Sequence, residues 1–490
     1  FLMLLTKSNY LLGLQCPKFL WITKNDKQMI PEPDFCAKHN FEVGTLIGVL
    51  ATKVFEGGID LSDLDFKENI DKTKESLELR KPIFEAGFMV NNLFSRGDIL
   101  LPVGEEEWDI IEVKSATKVK DINIHDVSFQ KYVYEKAGLK IRNCILMRIN
   151  NEYVKSGEVE PKELFIQSDI TEQVKEFSQT IEENIKKMFE IIKNSEPEFK
   201  VEDILTIEYS NICIDEFMNN LPKNNVFEFY RMFKKKRVEL CKEGCVKMTD
   251  ISEDIKLNDK QKIQRRLAFD GGNHIDKQEI KNFLGNLQYP IYYLDFETIN
   301  PAIPKFDGMK PYQRIPFQFS LHIQKEKGGE CEHISFLADG TSDPRPKFMQ
   351  ALKDNLKESG SILVYNQAFE KGVMNESAIL LPEFREWYDE NILPRIKDLW
   401  DVFKDFSYYD SRQKGSTSIK YVLPVLTDLK YDNLDIGNGM LASLEYERIT
   451  FGNVEKGERL KIRKALEKYC EMDTWAEVEI VKNLGKILKS

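Results

Sequence analysis

Short apolar runs alternate with helical patterns along this chain, which predicts an α/β fold. In the first part of the sequence, such runs predict sheet strands at residues 96–101, 108–113 and 143–149. Residues 170–192 instead carry apolar side chains at helical spacing, with Thr171 as the expected cap. The polar segment 194–197 ends this helix and indicates a domain edge near residue 200.

Beyond residue 200 the composition changes. Charged helical patterns and a turn signal at residues 270–273 predict a helical connector that ends near residue 285. Further apolar runs then predict strands at residues 291–296, 317–323 and 362–365, and a helix across residues 461–484. We therefore expect a first domain, a connector and a second domain, at residues 1–200, 201–285 and 286–490.

The length of 490 residues exceeds what one hydrophobic core usually organises, which agrees with two domains. No window approaches the roughly eighteen unbroken apolar residues of a membrane span, so we expect a soluble protein without membrane contact. Lys7 interrupts the apolar start at residues 1–14, and no cleavage site follows, so we interpret this start as structural rather than as a signal peptide. Eight irregularly spaced cysteines favour reduced thiols and a cytoplasmic location.

The formal net charge of -11 argues against a protein that coats nucleic acid by bulk electrostatics. A local basic segment at residues 231–237 stands apart, with Tyr230 and Phe233 interleaved. These two aromatic side chains could stack on bases, but a solvated helix face is the more common meaning of such a segment.

Asp98, Glu112 and Lys114 form the first candidate site. In a strand, Glu112 and Lys114 project to the same face, and turn residues at 102–107 predict a hairpin that brings Asp98 close to them. Crowded carboxylates repel each other, and Mg²⁺ or Mn²⁺ relieves that repulsion. Lys114 would then stabilise charge at a scissile phosphate. The plainer alternative is a surface hairpin with Glu and Lys on its wet face.

Gln130 and Tyr134 lie four residues apart on a predicted helix, so both face the same way. Together with Gly97-Asp98 and Glu112-x-Lys114, this spacing resembles the RecB-like branch of the PD-(D/E)XK nucleases over residues 5–200. The resemblance implies a metal-dependent nuclease in which Asp98 and Glu112 bind the cation. Gln130 and Tyr134 would contact substrate or brace the site.

The same resemblance draws attention to the cysteines. In RecB-like CRISPR-associated exonucleases an early cysteine joins three later ones around a 4Fe-4S cluster, and Cys16 occupies that early position. Cys213, Cys241 and Cys245 could supply the other thiolates, although the isolated Cys213 departs from the family pattern. Ordinary thiols are the alternative.

A further departure from these exonucleases is Gly48, which stands about where they carry a metal-binding histidine. Glu85 could replace that ligand, or it could be an ion-paired structural residue.

A second candidate site begins with Asp295 and Glu297, which share one face of a predicted strand. Two other segments offer further carboxylates. Glu370 follows an apolar run, and Asp473 lies one helical turn beyond Tyr469. The alternative is that the first pair caps a strand and Tyr469 packs in a helix.

This ordered set resembles the DnaQ-like exonucleases of the tyrosine subclass over residues 286–490. The resemblance implies an RNase H-like fold in which four carboxylates, Asp295, Glu297, Glu370 and Asp473, hold two metal ions. Tyr469 would orient the nucleophile. Glu370 departs from the family, which has aspartate there, and Asp398 and residues 415–420 are weaker candidates for substrate contact.

The whole chain resembles a bacterial family of unknown function that fuses a RecB-like nuclease to a DnaQ-like exonuclease domain. Residues 227–231, 312–313 and 316–318 add to that match. We therefore expect a cytoplasmic, metal-dependent nuclease that trims single-stranded DNA from an end. The alternatives are an RNA-processing exonuclease and a nucleic-acid-binding scaffold with one or both sites inactive.

Overall fold

A computed structural model describes residues 3–489 and confirms a mixed α/β chain. The chain divides into two compact units, one comprising Phe1–Leu221 with Pro301–Tyr312 and the other Pro222–Asn300 with Gln313–Ser490. The segment at 301–312 belongs to the first unit because its backbone pairs there: Lys155 donates to the carbonyl of Met309 over 3.0 Å.

These boundaries differ from those expected from sequence. The first unit continues past residue 200 because Ile207 and Cys213 pack in an apolar cluster with Cys16 and Ile22. Residues 222–285 of the expected connector belong to the second unit, where Tyr230 packs against Leu267, Phe406 and Tyr409. No composition signal marks such packing.

Within the described residues, the first unit contains a seven-stranded sheet. Its strands are β1 (Leu5–Thr6), β2 (Ile59–Asp60), β3 (Ile83–Val90), β4 (Leu93–Val103), β5 (Glu107–Lys114), β6 (Lys140–Ile149) and β7 (Phe165–Asp169). The order is β2-β3-β4-β5-β6-β7, and β1 pairs in parallel with the beginning of β4. The three strands expected from sequence lie within β4, β5 and β6, and the hairpin joins β4 to β5 as expected.

The first unit also contains α-helices. They are α1 (Lys7–Gln15), α2 (Pro17–Asn25), α3 (Phe35–Thr52), α4 (Phe66–Leu77), α5 (Asp121–Lys136), α6 (Pro161–Leu164), α7 (Thr171–Ser178), α8 (Ile181–Lys193), α9 (Asp203–Thr206) and α10 (Ile212–Asn219). Thr6 caps α1 by accepting from the amide of Asn9, which fixes where the chain turns from β1 into the helix.

The helix expected across residues 170–192 is two helices, α7 and α8. Thr171 is not their cap: it is the first helical residue, and its hydroxyl accepts from the amide of Cys144 on β6 over 2.9 Å. This hydroxyl ties the helix to the sheet, a use that local spacing cannot reveal.

The second unit is built on a mixed sheet of five strands within the described residues, in the order β11-β10-β9-β12-β13, and a separate pair, β14-β8. The strands are β8 (Asn273–Ile275), β9 (Ile291–Ile299), β10 (Ile315–Gln324), β11 (Cys331–Leu337), β12 (Ser361–Val364), β13 (Ile396–Asp398) and β14 (Tyr408–Asp410). β9, β10 and β11 are antiparallel neighbours, whereas β12 runs parallel to β9 and β13. The central position of β9 explains why its residues are buried almost without interruption, because both of its faces are covered.

The second unit also contains α-helices. They are α11 (Lys234–Lys242), α12 (Asp259–Asp270), α13 (Lys277–Gly285), α14 (Arg345–Asn355), α15 (Gln367–Leu380), α16 (Arg385–Trp387), α17 (Trp400–Lys404), α18 (Ile419–Leu426), α19 (Gly439–Phe451) and α20 (Lys456–Ile487). The helix expected at residues 461–484 is confirmed within α20, which contacts both β9 and β10.

Tyr230 is not a surface for stacking bases, because it is buried beneath Phe406. Phe233 is 85% exposed, and the following basic residues open α11. Of the two aromatic side chains named for base stacking, only Phe233 is therefore accessible. Among the described residues, no helix combines the length and apolar character needed to cross a membrane.

Candidate functional sites

The first site forms where β4 and β5 separate. Their ladder ends at the pair Ile99 and Ile111, and beyond it the Asp98 carboxylate accepts from the amide of Val113 over 2.6 Å. The Asp98 side chain thus takes the place of the next backbone hydrogen bond between the two strands. β1 pairs with the beginning of β4, at Leu93 and Phe94. The helix α1 follows β1 directly, so its first residue lies beside the site.

Two lysines hold the buried carboxylates of this site. Lys114 Nζ lies 2.6 Å from Glu112 Oε1 and 2.8 Å from Asp126 Oδ2. Lys7, the first residue of α1, lies 2.9 Å from Glu112 Oε1 and 3.3 Å from Asp126 Oδ1. The site therefore contains three carboxylates, those of Asp98, Glu112 and Asp126, and two ammonium groups. A cation bound by Glu112 or Asp126 would have to displace an ammonium.

Gln130 and Tyr134 brace this arrangement from α5. Gln130 donates to Glu112 Oε2 over 2.5 Å and to Asp126 Oδ1 over 3.1 Å. Tyr134 accepts from the amide of Gly97 and donates to the carbonyl of Ala86. Both side chains are buried against the sheet, so their contacts position the site.

The absence of a side chain at Gly97 permits this close approach. An added Cβ would lie 2.5 Å from Gln130 Oε1 and 2.7 Å from the Tyr134 hydroxyl oxygen, both closer than real contacts allow. Glycine at this position thus lets α5 lie directly on β4.

Burial and the neighbouring charges shift the pKa values of Glu112 and Asp126 in opposite directions. Burial raises the pKa of Glu112 to about 7, with the neighbouring charge of Asp126 acting in the same direction. Burial also opposes the charge of Asp126, but Lys7 and Lys114 outweigh it and lower the pKa of that carboxyl. For the lysines, burial is outweighed by the two carboxylates, so each lysine pKa is raised. Asp126 is thus the firmly ionised partner of both ammonium groups.

Glu85 lies on β3 at a positive φ of 58° and pairs with Arg96 over 2.8 Å. The sequence left two roles open for Glu85, a metal ligand or an ion-paired structural residue, and this contact agrees with the second. Gly48 lies in α3 with open space around it.

The cysteines expected to bind iron occupy different units. Cys16 and Cys213 lie together in the apolar cluster of the first unit, and Cys16 also caps α2 by accepting from the amide of Phe19. Cys241 and Cys245 belong to the second unit. Among the described residues, no group of three ligand atoms within 4.8 Å includes a cysteine. The cluster stays a prediction, which iron and sulfide analysis of anaerobically purified protein tests.

The second site lies where β9 meets α20. Asp295 and Glu297 project from one face of β9, and Asp473 approaches from α20, so that ligand oxygens of all three lie within 4.8 Å of one another. Tyr469 lies one turn before Asp473 on the same face of the helix, as expected from the spacing. The structure thus brings together four of the five residues identified from sequence for this site.

A cavity of about 150 Å³ separates these groups, and Tyr365, Lys420 and Glu477 also line it. Lys420, within the segment named from sequence as a weaker candidate, lies over the rings of Tyr431 and Tyr469 at 5.4 Å. Its ammonium donates to the carbonyl of Gly437 over 2.6 Å. A positive charge is thereby fixed beside the carboxylates.

Glu370, the fifth residue, is buried in the first turn of α15, and its Oε2 atom has no hydrogen-bond partner among the described residues. Asp398 has a different role. It accepts from the amides of Asn366, Gln367 and Trp400 and so holds the beginning of α15. These contacts fix Asp398 at the beginning of α15, and its contact with substrate stays a prediction.

Burial raises every carboxyl pKa in this site. It raises the pKa of Asp295 well above the ordinary value, with the charge of Asp473 adding to the effect, and it acts in the same way on Glu297. The pKa of Asp473 rises only to about 6, because Tyr431 donates to its Oδ1 over 2.6 Å and Lys420 lies nearby. The carboxylates are thus crowded and poorly compensated, a state that a divalent cation relieves.

Sequence reasoning missed Lys7, Asp126, Tyr431 and Glu477. Helical spacing could have found two of these, because Asp126 precedes Gln130 by four residues and Glu477 follows Asp473 by four. Lys7 and Tyr431 carry no such local signal.

The family and the proteins that this chain resembles have descriptions that name no function. A family described as Domain of unknown function (DUF2779) matches residues 292–418, which include Asp295, Glu297 and Glu370. An uncharacterized protein of Mycoplasma genitalium is 28% identical over 43% of this chain and 34% of its own length. A protein of Ureaplasma parvum is 26% identical over 40% of this chain and 31% of its own length. The matches thus span about a third of the length of these relatives.

Proposed function

We propose that this chain is a metal-dependent nuclease, and that its main active centre is the cavity lined by Asp295, Glu297 and Asp473. One observation carries the proposal: three carboxylates lie with ligand oxygens within 4.8 Å of one another, beside a tyrosine and a fixed lysine. Oxygen ligands of this kind suit Mg²⁺ or Mn²⁺. In such sites the cation activates water and stabilises the leaving oxygen of a phosphodiester.

The protein groups have separate roles in this proposal. Asp295, Glu297 and Asp473 hold the cation, and Tyr469 orients the attacking water. The Lys420 ammonium attracts the substrate phosphate. We assign to this cavity the phosphate at a strand end, because the carboxylates and Lys420 line it together.

By resemblance, the first unit is a RecB-like nuclease domain and the second an RNase H-like, DnaQ-like domain. The preferred substrate is single-stranded DNA cut from an end in the cytoplasm. An RNA-processing exonuclease is the alternative that the same chemistry allows, since the cavity chemistry acts on either backbone.

A specific observation favours a different role for the first unit. Lys7 and Lys114 pair with Glu112 and Asp126. Within the described residues, no such ion pair reaches Asp295, Glu297 or Asp473, although Lys420 lines the same cavity. The first site is therefore the better candidate for one that binds nucleic acid without turnover, while cleavage takes place in the second.

End-labelled single-stranded and duplex DNA and RNA, incubated with Mg²⁺, Mn²⁺ or chelator, test the proposal. We expect metal-dependent shortening that Asp295→Ala with Glu297→Ala abolishes. Asp98→Ala with Lys114→Ala reports on the first site separately. Cleavage that survives the Asp295 and Glu297 double variant would move the active centre elsewhere, and binding without cleavage by the parent would favour a scaffold.

A further inference from the structure

Two histidines of the second unit lie opposite each other at the edge of its five-stranded sheet. His322 on β10 pairs directly with His333 on the edge strand β11, and residues opposite each other in an antiparallel pair share one face. Their imidazole rings are stacked, with centroids 4.5 Å apart and planes at 28°. The cavity at Asp295 is lined by other residues, so the proposed chemistry leaves this histidine pair unused.

A carboxylate from α20 lies beside the two histidines. Glu471 Oε1 is 3.8 Å from Nδ1 of His333. One ring nitrogen of each histidine and one carboxylate oxygen of Glu471 lie within 4.8 Å of one another. His322 is buried, whereas His333 and Glu471 are exposed, so a cation can reach the group from solvent.

Two hydroxyl groups hold each imidazole by one of its nitrogens. Thr474 donates its hydroxyl proton to the carbonyl of Glu471 over 3.2 Å. Its oxygen must therefore accept from Nδ1 of His322 at 2.8 Å and from the hydroxyl of Ser320 at 2.7 Å. Because the Ser320 proton is then used, Nε2 of His333 donates to the Ser320 oxygen over 2.9 Å. Both imidazoles thus act as donors toward the hydroxyl groups.

In the neutral rings, these hydrogen bonds leave lone pairs on Nε2 of His322 and on Nδ1 of His333, the atom nearest Glu471. Burial, followed by the charge of His333, lowers the pKa of His322 to about 4, so the His322 ring is neutral at neutral pH. A histidine that binds a metal usually donates its other N–H to a fixed acceptor, which sets the orientation of the ring. Ser320 and Thr474 supply such acceptors.

We propose that His322, His333 and Glu471 form a Zn²⁺ site at the edge of the second sheet. Zinc accepts two imidazoles and one carboxylate in tetrahedral geometry, with the fourth position open to water. Mg²⁺ and Mn²⁺ prefer sets of oxygen ligands, so this site differs in chemistry from the carboxylate cavity. A bound zinc ion joins β10 and β11 to α20, the helix that also carries Tyr469 and Asp473. Zinc binding itself does not depend on nuclease activity.

Zn²⁺ titration of the full chain by calorimetry, with excess Mg²⁺ present to occupy the carboxylate cavity, tests this proposal. The variants are His333→Ala and Glu471→Gln, which change exposed side chains. Glu467→Gln, at an exposed acid on the same helix, and His274→Ala, at a half-buried histidine of the same unit, are the matched controls. Melting temperatures with chelator establish that each variant is folded. X-ray absorption spectroscopy of the zinc-loaded parent identifies the ligands.

We expect His333→Ala and Glu471→Gln each to weaken one bound Zn²⁺ by about a hundredfold, since even the hydrogen-bond partners of a ligand contribute about tenfold or more. Both controls should match the parent, and the absorption spectrum should show imidazole ligands. Equal Zn²⁺ binding by the parent and both variants would overturn the proposal, because thiols or the carboxylate cavity would then hold the zinc. Weakened zinc binding in both variants of a parent that cuts no nucleic acid would sustain this site and reject the proposed function.

Discussion

The ammonium of Lys7 lies 2.9 Å from the Oε1 atom of Glu112, although 105 positions separate the two residues in sequence. Lys114 reaches the same oxygen from two residues away, at 2.6 Å. One carboxylate of the first site is therefore shared between a distant lysine and a local one. Because both lysines contact this oxygen, replacement of either one changes the charge balance of the first site.

Removal of the distant lysine should destabilise the first unit. Lys7→Met leaves Glu112 and Asp126 with one ammonium for two buried carboxylates, and we expect a loss of about 3 kcal/mol in the free energy of unfolding. Urea denaturation with chelator present measures this loss. Mn²⁺ should restore more stability to the variant than to the parent, because a cation can occupy the place of the ammonium.

Lys18→Met provides the control for this substitution. Lys18 pairs with Glu196 and Glu216, whose side chains are 41% and 54% exposed, so its removal should cost within about 1 kcal/mol. An equal effect of the two variants, or no difference in their response to Mn²⁺, would contradict the charge balance described for the first site.

Gly97→Ala should disrupt the bracing of the first site by α5. The added methyl would collide with Gln130 and Tyr134, and we expect a loss of about 1–3 kcal/mol in stability, measured by urea denaturation. Gly48→Ala is the matched control, since nothing lies within 4 Å of a Cβ there and alanine is the better helix former. Equal stability of Gly97→Ala and the parent would mean that the helix does not lie on β4 as described.

Asp473 should make the stability of the metal-free protein depend on pH. Its pKa is about 6 in the folded state, against an ordinary value of 3.8, so the folded state holds a proton that the unfolded state has lost. The stabilising contribution is therefore complete below about pH 4 and is lost as the pH rises through 6. It amounts to about 3 kcal/mol.

Asp473→Asn should remove this dependence. With chelator present, its free energy of unfolding should gain on that of the parent as the pH rises from about 4 to about 7. The exposed variant Asp432→Asn controls for the substitution itself. A constant difference between Asp473→Asn and the parent across this range would show that Asp473 does not titrate as described.

Tyr469→Phe should separate turnover from cation binding. If the hydroxyl orients the attacking water, its loss should lower kcat by about a hundredfold, while Mn²⁺ affinity stays within about twofold. Single-turnover cleavage and Mn²⁺ titration provide the two measurements. Tyr421→Phe, on an exposed position of α18, should leave both unchanged. Loss of Mn²⁺ affinity in Tyr469→Phe would instead assign the tyrosine to the cation site.

Local patterns fixed the parts of both sites that lie on single elements. Alternation along a strand is enough to place Glu112 with Lys114, and Asp295 with Glu297, on common faces. Helical spacing likewise pairs Gln130 with Tyr134 and Tyr469 with Asp473. These pairings follow from backbone geometry alone, so the sequence determined them.

Only the tertiary structure decided which elements meet. It brought Lys7 to Glu112, assigned residues 301–312 to the first unit and placed Glu477 in the cavity that Asp295 also lines. Such contacts depend on how apolar faces pack and on which charges lose water together, and neither is encoded in spacing. The sequence by itself therefore determined β4, β5, β6, β9, β10, β12 and the long helix α20, because their patterns are local. Packing decided which carboxylates pair with lysines, and the chemistry of both sites stays a prediction.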